Sequence, residues 1–544
     1  MIEITSGRLA CALLLSFFAG GNAFSAEASS PNILIILADD LGYSDLGCYG
    51  GEIETPNLDR LAAQGLKFTQ FYNTARCWPT RAGILTGYYA QQVRRDDLPK
   101  IVPNGGAGVR PAWAKLLPEM LKAKGYRSYH SGKWHVDGTP LKNGFDHAYT
   151  LDDHDRYFAP KQHTEDDNPL PPVESNSGYY ATTAIADHSI KCLKEHSRQF
   201  ADKPFFQYLC FTSPHFPLHA LPEDIAKYRE RYHDGWDVIR ARRYARQREL
   251  GLVSCDLSRR YENSAPKWNL SAEELYRKVG AGEVSRAVAW TDLTNEQKEF
   301  QANKMAIYAA MIDRMDREIG RVLEQLSAMK AVDNTLIFFL SDNGASAEEI
   351  IRGDGHDRTV PPGSAKSYLG LGPAWATLSN TPFRMHKSWV HEGGISTPLI
   401  VKWPKGIAQA GELRHTAGHV IDLVPTIREV TGIKQSETIN NESVPPPPGS
   451  SLIPAFARDV AVPHEYLWWY HIGNRAVRVG DWKLVSWGED RAWELFDLNS
   501  DRSETKDLAA TMPEKVNELE AIWRKKLEEF QEIASRDLPK KPIE

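Results

Sequence analysis

One short segment, Cys77-Trp78-Pro79-Thr80-Arg81, places a nucleophilic side chain close to a permanent cation. Pro79 fits the first position of a helix that continues through Leu85, so we expect Cys77 at the helix N-terminus. Backbone N–H groups and the helix dipole favour anions there, and a guanidinium group suits oxyanions. An ordinary buried cysteine beside a helix start is the competing interpretation. The segment predicts chemistry on an oxyanion.

Two pairs of oxygen-bearing residues, Asp39-Asp40 and Asp342-Asn343, each follow an apolar run. Carboxylate and amide oxygens are the ligands that hard cations such as calcium and magnesium take. Either pair alone would also suit a turn after a strand, where aspartate is common. Together the two pairs predict one divalent cation held between two strand ends.

Basic and imidazole side chains follow two further apolar runs. Lys133 and His135 come after residues 126–130, and His215 comes after residues 204–211. A lysine or histidine at such a place is usually a solvated loop residue. Four polar clusters past four strands would nevertheless meet in one crevice, because an active site lies beyond the carboxyl ends of a doubly wound sheet. This convergence carries more weight than any single motif.

The elements that would position these residues alternate between strands and helices. Continuous apolar runs at residues 32–37 and 336–340 are typical of strands covered on both faces. A buried stripe from Met305 to Leu326 has helical spacing, and a shorter helix is expected near residues 57–64. The pattern predicts a doubly wound α/β sheet between helices.

The sequence changes character at residues 445–449, a proline run that we interpret as a stiff surface linker. Beyond it, residues 476–479, 482–485 and 493–498 resemble short antiparallel strands, and a helix begins near Pro513. We therefore predict a catalytic domain over residues 29–444 and a small α+β subdomain over residues 445–544. The charged stretch at residues 220–300 predicts a helical insertion near the mouth of the crevice.

The N-terminus predicts export. Arg8, the apolar run at residues 9–19 and Ala26-Glu27-Ala28 indicate a signal peptide over residues 1–28, and the run is too short to span a membrane. No second long apolar run follows, so we expect a periplasmic or secreted protein. The formal net charge of −6 argues against a nucleic-acid partner. Five cysteines remain without Cys11, an odd number that indicates a thiol with its own chemistry.

Several of these segments together resemble one family. Cys77-x-Pro79-x-Arg81 resembles the maturation motif of the type I sulfatases, which belong to the alkaline-phosphatase-like superfamily. The resemblance covers essentially the whole mature chain, is closest to bacterial arylsulfatase-type members, and extends in the same order to further segments: Asp39-Asp40, residues 132–135, Pro214-His215, residues 342–344 and residues 387–394. Many sulfatases have serine where this chain has Thr80, outside the Cys-x-Pro-x-Arg core.

The resemblance implies a large alkaline-phosphatase-like α/β domain with a mixed sheet and a small C-terminal α+β domain with an antiparallel sheet. It also implies that a separate maturation enzyme oxidises Cys77 to formylglycine. The family points to calcium as the cation, with magnesium as the alternative, and to five ligands: Asp39, Asp40, Asp342, Asn343 and the modified Cys77. The implied catalytic residues are Cys77, Arg81, Lys133, His135, His215 and Lys387.

In that scheme the hydrated aldehyde attacks sulfur, His215 and Lys387 protonate or neutralise the departing oxygen, and His135 takes the proton that releases sulfate. Arg81 would activate the nucleophile, and Lys133 would hold the sulfate oxygens. The expected reaction is hydrolysis of an aryl or carbohydrate sulfate monoester. The alternatives are a phosphoester or phosphonate hydrolase of the same superfamily and a non-catalytic relative that binds sulfated glycans. The alcohol portion, endo or exo action and oligomeric state are left open.

Overall fold

The structure is a computed structural model that describes Met1 and residues 30–102, 108–439 and 442–538. The predicted signal peptide lies outside these residues, apart from Met1. Within the described ranges, no helix combines the length and the apolar character that crossing a membrane requires. The description below therefore concerns the predicted mature chain.

A ten-stranded mixed sheet forms the centre of the molecule. Its strands are β1 (Asn32–Ala38), β2 (Leu66–Tyr72), β3 (Arg127–Gly132), β4 (His147–Leu151), β5 (His163–Glu165), β6 (Asn168–Pro169), β7 (Phe205–Cys210), β8 (Thr335–Ser341), β9 (Ser396–Lys402) and β10 (Leu413–His419). The spatial order is β10-β2-β9-β8-β1-β7-β3-β4-β5-β6. Strands β8, β1, β7, β3 and β4 run parallel, whereas β9 is antiparallel to both of its neighbours.

The register brings four strand ends to the same level. Ala38 at the end of β1 pairs with Ser341 of β8, and Gly132 at the end of β3 pairs with Cys210 of β7. Leu37 of β1 also pairs with Cys210, so the ends of β1 and β8 lie level with the ends of β3 and β7. Since all four strands are parallel, the segments that follow them leave the sheet at one edge.

Helices cover both faces of this sheet. The α-helices of the described residues are α1 (Pro56–Ala63), α2 (Cys77–Thr86), α3 (Leu117–Lys122), α4 (Ala181–Gln199), α5 (Pro222–Tyr228), α6 (Gly235–Glu249), α7 (Ala272–Lys278), α8 (Asn295–Ala328), α9 (Pro373–Ser379), α10 (Glu392–Ile395), α11 (Leu423–Thr431), α12 (Ile453–Ala457) and α13 (Pro513–Ser535). Leu34 and Ile36 pack in one core with α1, α4 and α8, while Ile33 and Ile35 pack in another with α2, α3 and α11. The doubly wound arrangement is confirmed.

A separate four-stranded antiparallel sheet lies near the C-terminus. Before it, two short strands, β11 (Thr438–Ile439) and β12 (Glu442–Ser443), form a ribbon of their own. The strands of the four-stranded sheet are β13 (Leu467–His471), β14 (Asn474–Val479), β15 (Trp482–Ser486) and β16 (Glu494–Asp497). One face packs on α13, where Trp468 stacks on Trp523 with ring centroids 5.6 Å apart. The other face packs on the main domain, and Trp469 Nε1 donates to Asn73 O at 2.7 Å.

The proline segment differs from the expected surface linker. Pro445 is buried, and its carbonyl oxygen accepts a hydrogen bond from Tyr88 Oη at 2.5 Å. Ser450 N donates to Asp422 Oδ1 at 2.8 Å, so both ends of the segment are tied to the main domain. The interpretation as a stiff surface linker is therefore only partly right: residues 446–449 are at least partly exposed, but the main domain holds both ends of the segment, through Tyr88 just after α2 and Asp422 just before α11. The domain boundary at residue 445 stays a prediction.

Candidate active site

The ends of β1, β3, β7 and β8 lie at the same level, and the polar clusters that follow them meet in one buried site. Asp39 and Asp40 follow β1, Lys133 and His135 follow β3, His215 lies past β7, and Asp342 and Asn343 follow β8. Backbone hydrogen bonds fix these turns: Asp39 N donates to Ser213 O, and Lys133 N donates to Cys210 O, both at 3.0 Å. The predicted convergence is therefore present, and the remaining residues reach the site from α2 and from the segment before β9.

Cys77 lies at the beginning of α2 and is 3% exposed. The helix begins at Cys77, so the expectation that Pro79 occupies the first position is wrong by two residues. Arg76 has the extended backbone of a capping residue, and proline is tolerated throughout the first turn because N–H groups there lack an intrahelical acceptor. Thr80 Oγ1 accepts from Thr74 N at 3.1 Å and so fixes the approach to the helix.

Arg81 links two of the predicted metal-binding carboxylates. Its Nε and Nη2 donate to Asp342 Oδ2 at 3.1 and 2.8 Å, and its Nη2 lies 3.6 Å from Asp39 Oδ2. Its Nη1 donates to Lys133 O at 2.7 Å, and Lys133 Nζ donates to Asp39 Oδ2 at 2.6 Å. These residues are almost fully buried, so each charge is compensated by a specific partner rather than by solvent.

Asp40 gathers the groups on the other side of the site. Lys387 Nζ donates to its Oδ2 at 2.9 Å, and Asn343 Nδ2 donates to its Oδ1 at 2.6 Å. His215 Nε2 faces the same Oδ2 atom at 3.7 Å. Asp40 has a φ of +69°, a left-handed conformation that aspartate tolerates better than most residues, and its N–H donates to Asp342 Oδ1. The strained turn thereby orients both carboxyl groups.

The donor set fits a divalent cation. One ligand atom each from Asp39, Cys77 and Asp342 lie within 4.8 Å of one another, and the same holds for Asp39, Asp40 and His215. Asp39 Oδ1 and Asn343 Oδ1 are buried acceptors that no donor of the described residues reaches. Buried acceptors are normally satisfied, and carboxylate and amide oxygens are what hard cations bind.

The pKa shifts reflect the same crowding of charge. Burial, followed by the negative charge of Asp39, raises the pKa of Asp342 to about 7. Burial also raises the pKa of the Cys77 thiol, against the opposing effects of Lys133 and Lys387. Burial and the nearby Lys387 lower the pKa of His215 well below its usual range. A cation between the carboxylates would relieve the repulsion that Asp39 and Asp342 exert on each other.

The structure adds Glu348, a residue that the sequence did not single out. Its carboxylate lies 2.9 Å from Lys387 Nζ and 3.1 Å from Arg76 Nη2, and it accepts from Trp268 Nε1 at 2.7 Å. Against the effect of burial, Arg76 and Lys387 hold the pKa of Glu348 well below its usual range. A glutamate seven residues past the end of β8 has no distinguishing spacing, and only its contacts reveal that it holds Lys387.

His154 was also missed and joins the two predicted histidines. Its ring centroid lies 5.3 Å from that of His215 and 5.9 Å from that of His135. The ring of Trp78 packs against His135, with ring centroids 5.7 Å apart.

The predicted helical insertion at residues 220–300 is confirmed by α5, α6 and α7, and it contributes the exposed Trp268. The five cysteines that the structure describes are free thiols.

Comparison with known proteins assigns the family. A sequence model of the sulfatase family matches residues 31–433, and a model described as the C-terminal part of N-sulphoglucosamine sulphohydrolase matches residues 383–533. The chain belongs to the sulfatase family. This sulfatase is 33% identical to an uncharacterized sulfatase of Schizosaccharomyces pombe, over 92% of this chain and 93% of that relative. It is 31% identical to the arylsulfatase of Klebsiella aerogenes, over 82% and 96% of the two chains.

Solved structures show the same fold at lower identity. One is a complex with a neocarrahexaose, 23% identical with a TM-score of 0.62, covering 92% of this chain and 93% of that chain. Another is a complex with its substrate D-glucosamine-2-N,6-O-disulfate, 21% identical with a TM-score of 0.61, covering 93% and 99%. The predicted family, fold class and reaction are thus confirmed: this sulfatase is a sulfuric ester hydrolase of the alkaline-phosphatase-like superfamily. The roles of its individual residues stay predictions.

The contacts of Glu348 predict that it positions Lys387. Glu348→Gln removes one of the two carboxylates that hold the Lys387 ammonium group, so the lysine should lose its fixed position. We expect kcat to fall by roughly tenfold to a hundredfold, as misplaced catalytic groups typically cause. The measurement is the turnover of 4-nitrophenyl sulfate by purified, folded protein.

Glu349→Gln is the matched control. Glu349 is the adjacent buried acid, but it pairs with Lys304, 3.4 Å away, and not with a residue of the site. This variant should keep kcat near that of the unaltered protein even if its thermal stability changes. Equal losses of kcat in the two variants would show that Glu348 acts only on the stability of the loop.

Proposed function

We propose that this sulfatase hydrolyses its ester with formylglycine at residue 77 and one calcium ion beside it. The observation that carries the proposal is the grouping of Cys77, Asp39 and Asp342 at the N-terminus of α2, with ligand atoms within 4.8 Å. The resemblance of residues 77–81 to the family's maturation motif supports oxidation of Cys77 by a separate maturation enzyme. A thiol with a raised pKa would itself be a poor nucleophile at neutral pH.

Calcium suits the residues that would hold the cation. The proposed ligands come from two strand ends and from α2: Asp39, Asp40, Asp342, Asn343 and the modified residue 77. Calcium accepts six to eight oxygen ligands in flexible geometry, whereas magnesium demands a near-octahedral shell and keeps several waters. The unpartnered Asp39 Oδ1 and Asn343 Oδ1 support such an oxygen-rich shell.

The nucleophile and the sulfate group are held by fixed cations. Formylglycine, as its hydrate, would supply the oxygen that attacks sulfur, and the cation would stabilise negative charge on that oxygen. Arg81 would activate the nucleophile, and Lys133 would hold the diol and sulfate oxygens. Both are anchored by carboxylates, Arg81 by Asp342 and Lys133 by Asp39. Cations that are already in place cost no reorganisation during the reaction.

His215 and Lys387 would serve the departing alcohol. Both face Asp40 Oδ2, so they lie on one side of the site. His215 Nδ1–H donates to the carbonyl oxygen of Phe216, which directs Nε2 into the site. Burial lowers the pKa of His215, and a bound anionic ester beside it would favour the protonated ring. His135, whose ring centroid lies 5.7 Å from that of Trp78, would act as the base in the step that releases sulfate.

The substrate we propose is a small aryl or carbohydrate sulfate. Relatives named arylsulfatase and N-acetylgalactosamine-6-sulfatase, the latter 26% identical in Homo sapiens over 88% of this chain and 75% of that relative, support both classes. The complexes with a neocarrahexaose and with a glucosamine disulfate support a sulfated sugar. The signal peptide predicted over residues 1–28 supports action outside the cytoplasm.

The proposed role of His215 predicts a dependence on the leaving group. Positioned acid catalysis contributes roughly 10² to 10⁴ in rate. His215→Ala should therefore lose most of that factor for sulfate esters of poorly acidic alcohols. The loss should be far smaller for 4-nitrophenyl sulfate, whose leaving group needs little protonation. The measurement is kcat/KM for a series of sulfate esters that spans leaving-group pKa.

His219→Ala is the control, because His219 also follows β7 but binds the carbonyl oxygen of Ser367 through Nε2. Its effect should not vary along the series. An identical loss for every ester in His215→Ala would contradict the assignment of the proton to His215. Matched phosphate monoesters, run alongside, should be turned over far more slowly than the sulfates; the reverse order would favour a phosphoester hydrolase.

The proposed metal site predicts a loss of bound cation on removal of one ligand charge. Asp342→Asn keeps the shape of the side chain but removes a negative charge, so both metal content and activity should fall. Asp316→Asn is the control, because Asp316 is a buried carboxylate that accepts from Leu58 N, outside the site. Elemental analysis of the purified variants makes the comparison. Full metal occupancy with unchanged turnover in Asp342→Asn would exclude Asp342 as a ligand.

A further inference from the structure

A fifth cation, Arg352, lies on the wall of the site that carries the leaving-group residues. Its guanidinium carbon lies 5.6 Å from the centroid of the Phe216 ring, and Lys387 Nζ lies 5.4 Å from the same centroid. Phe216 in turn stacks on His215, with ring centroids 4.2 Å apart and planes inclined by 26°. Arg352 therefore belongs to the same stack as the proposed proton donor, but further out, because it is exposed whereas Phe216 is buried.

Arg352 differs from the other cations of the site in having no anionic partner. Lys133, Arg81, Lys387 and Arg76 each contact a carboxylate. Over the described ranges, no carboxylate lies within ion-pair distance of Arg352, and its side chain makes no hydrogen bond.

The acids near Arg352 are engaged elsewhere. Asp354, in the same loop, pairs with Arg156 at 2.9 Å and with Lys161 at 3.0 Å. Asp155 accepts a hydrogen bond from Tyr368 Oη at 3.0 Å. The guanidinium group thus keeps all of its donors for a group from outside the chain. A planar guanidinium binds carboxylate and sulfate oxygens through paired hydrogen bonds.

The loop holds Arg352 at a fixed distance from the chemistry. It leaves the sheet at Asp342 and Asn343, and Glu348 ties it to Lys387. Glu349 anchors the loop a second time. Its carboxylate pairs with Lys304, and its carbonyl oxygen accepts a hydrogen bond from Leu270 N at 3.0 Å. Arg352 follows three residues later. An alcohol that departs past His215 and Lys387 would pass Phe216, over whose ring the guanidinium of Arg352 lies.

We propose that Arg352 binds a second anionic group, a carboxylate or a sulfate, on the alcohol portion of the substrate. The preferred substrates are then esters whose leaving group carries its own negative charge, such as a sugar acid or a sugar with two sulfates. This assignment rests on the proposed function, in which His215 and Lys387 define the leaving-group side. It makes Arg352 a specificity-determining residue rather than a catalytic one.

The test compares matched aryl sulfates in matched variants. The substrates are 4-nitrophenyl sulfate and its derivatives with a carboxylate or a sulfonate at ring position 2 or 3. For each derivative, kcat/KM is divided by kcat/KM for 4-nitrophenyl sulfate, in the unaltered protein, in Arg352→Gln and in Arg352→Lys. Comparing each ratio between proteins cancels the effect of the substituent on leaving-group acidity.

We expect Arg352→Gln to lower this ratio about fivefold for at least one charged derivative, the size typical of an exposed ion pair. Arg352→Lys should restore part of it, and added salt should weaken the preference. A carboxylate-only or a sulfonate-only effect would identify which oxyanion is bound. Arg358→Gln, an exposed arginine of the same loop that donates to Arg277 O, should leave the ratios unchanged.

Unchanged ratios in Arg352→Gln would overturn the proposal. An equal loss of kcat/KM for charged and uncharged substrates would overturn it too, because Arg352 would then serve all esters alike. These failures are distinct from failure of the proposed function. The latter would show as a lack of leaving-group dependence in His215→Ala, whatever the Arg352 ratios are.

Discussion

Burying several carboxylates at one edge of a sheet requires compensating charge, and this requirement organises the whole site. Asp39 is paired with Lys133, Asp342 with Arg81, Asp40 with Lys387 and Glu348 with Arg76. Breaking one buried pair of this kind costs about 3–5 kcal/mol, because the remaining charge is left uncompensated. The pairs are arranged around Cys77, and they keep lysine and arginine side chains in fixed positions where the proposed function needs them.

The small C-terminal sheet contributes to this arrangement although none of its residues was predicted to take part in the chemistry. Lys483 of β15 is fully buried between Glu392 and Glu504, at 2.9 and 2.8 Å. Asn474 Nδ2 donates to the carbonyl oxygen of Ser388, the residue after Lys387. The sheet therefore braces the segment that carries Lys387, the lysine proposed to serve the leaving group. This contact gives a physical reason for the two sheets to pack together.

The strand ends were predictable from the sequence because their signals are local. A continuous apolar run followed by Asp39-Asp40 predicts both a strand and the polar residues at its end. The run before Asp342 predicts the same. Strand direction is not local: nothing in residues 396–402 distinguishes the antiparallel β9 from a parallel neighbour. Glu348 and His154 were missed because their roles arise from contacts with residues far along the chain. The start of α2 was misplaced because proline fits several positions of a first turn.

The central claim is that this set of paired charges is built around a modified Cys77. A plain thiol that attacked the ester would keep a stable adduct, whereas a hydrated aldehyde can expel sulfate and form again. Mass spectrometry of the peptide containing residue 77, taken from preparations of different specific activity, tests this most directly. The account predicts formylglycine at position 77, in a fraction that rises in proportion to specific activity. Full sulfatase activity in protein whose Cys77 is an intact thiol would contradict it.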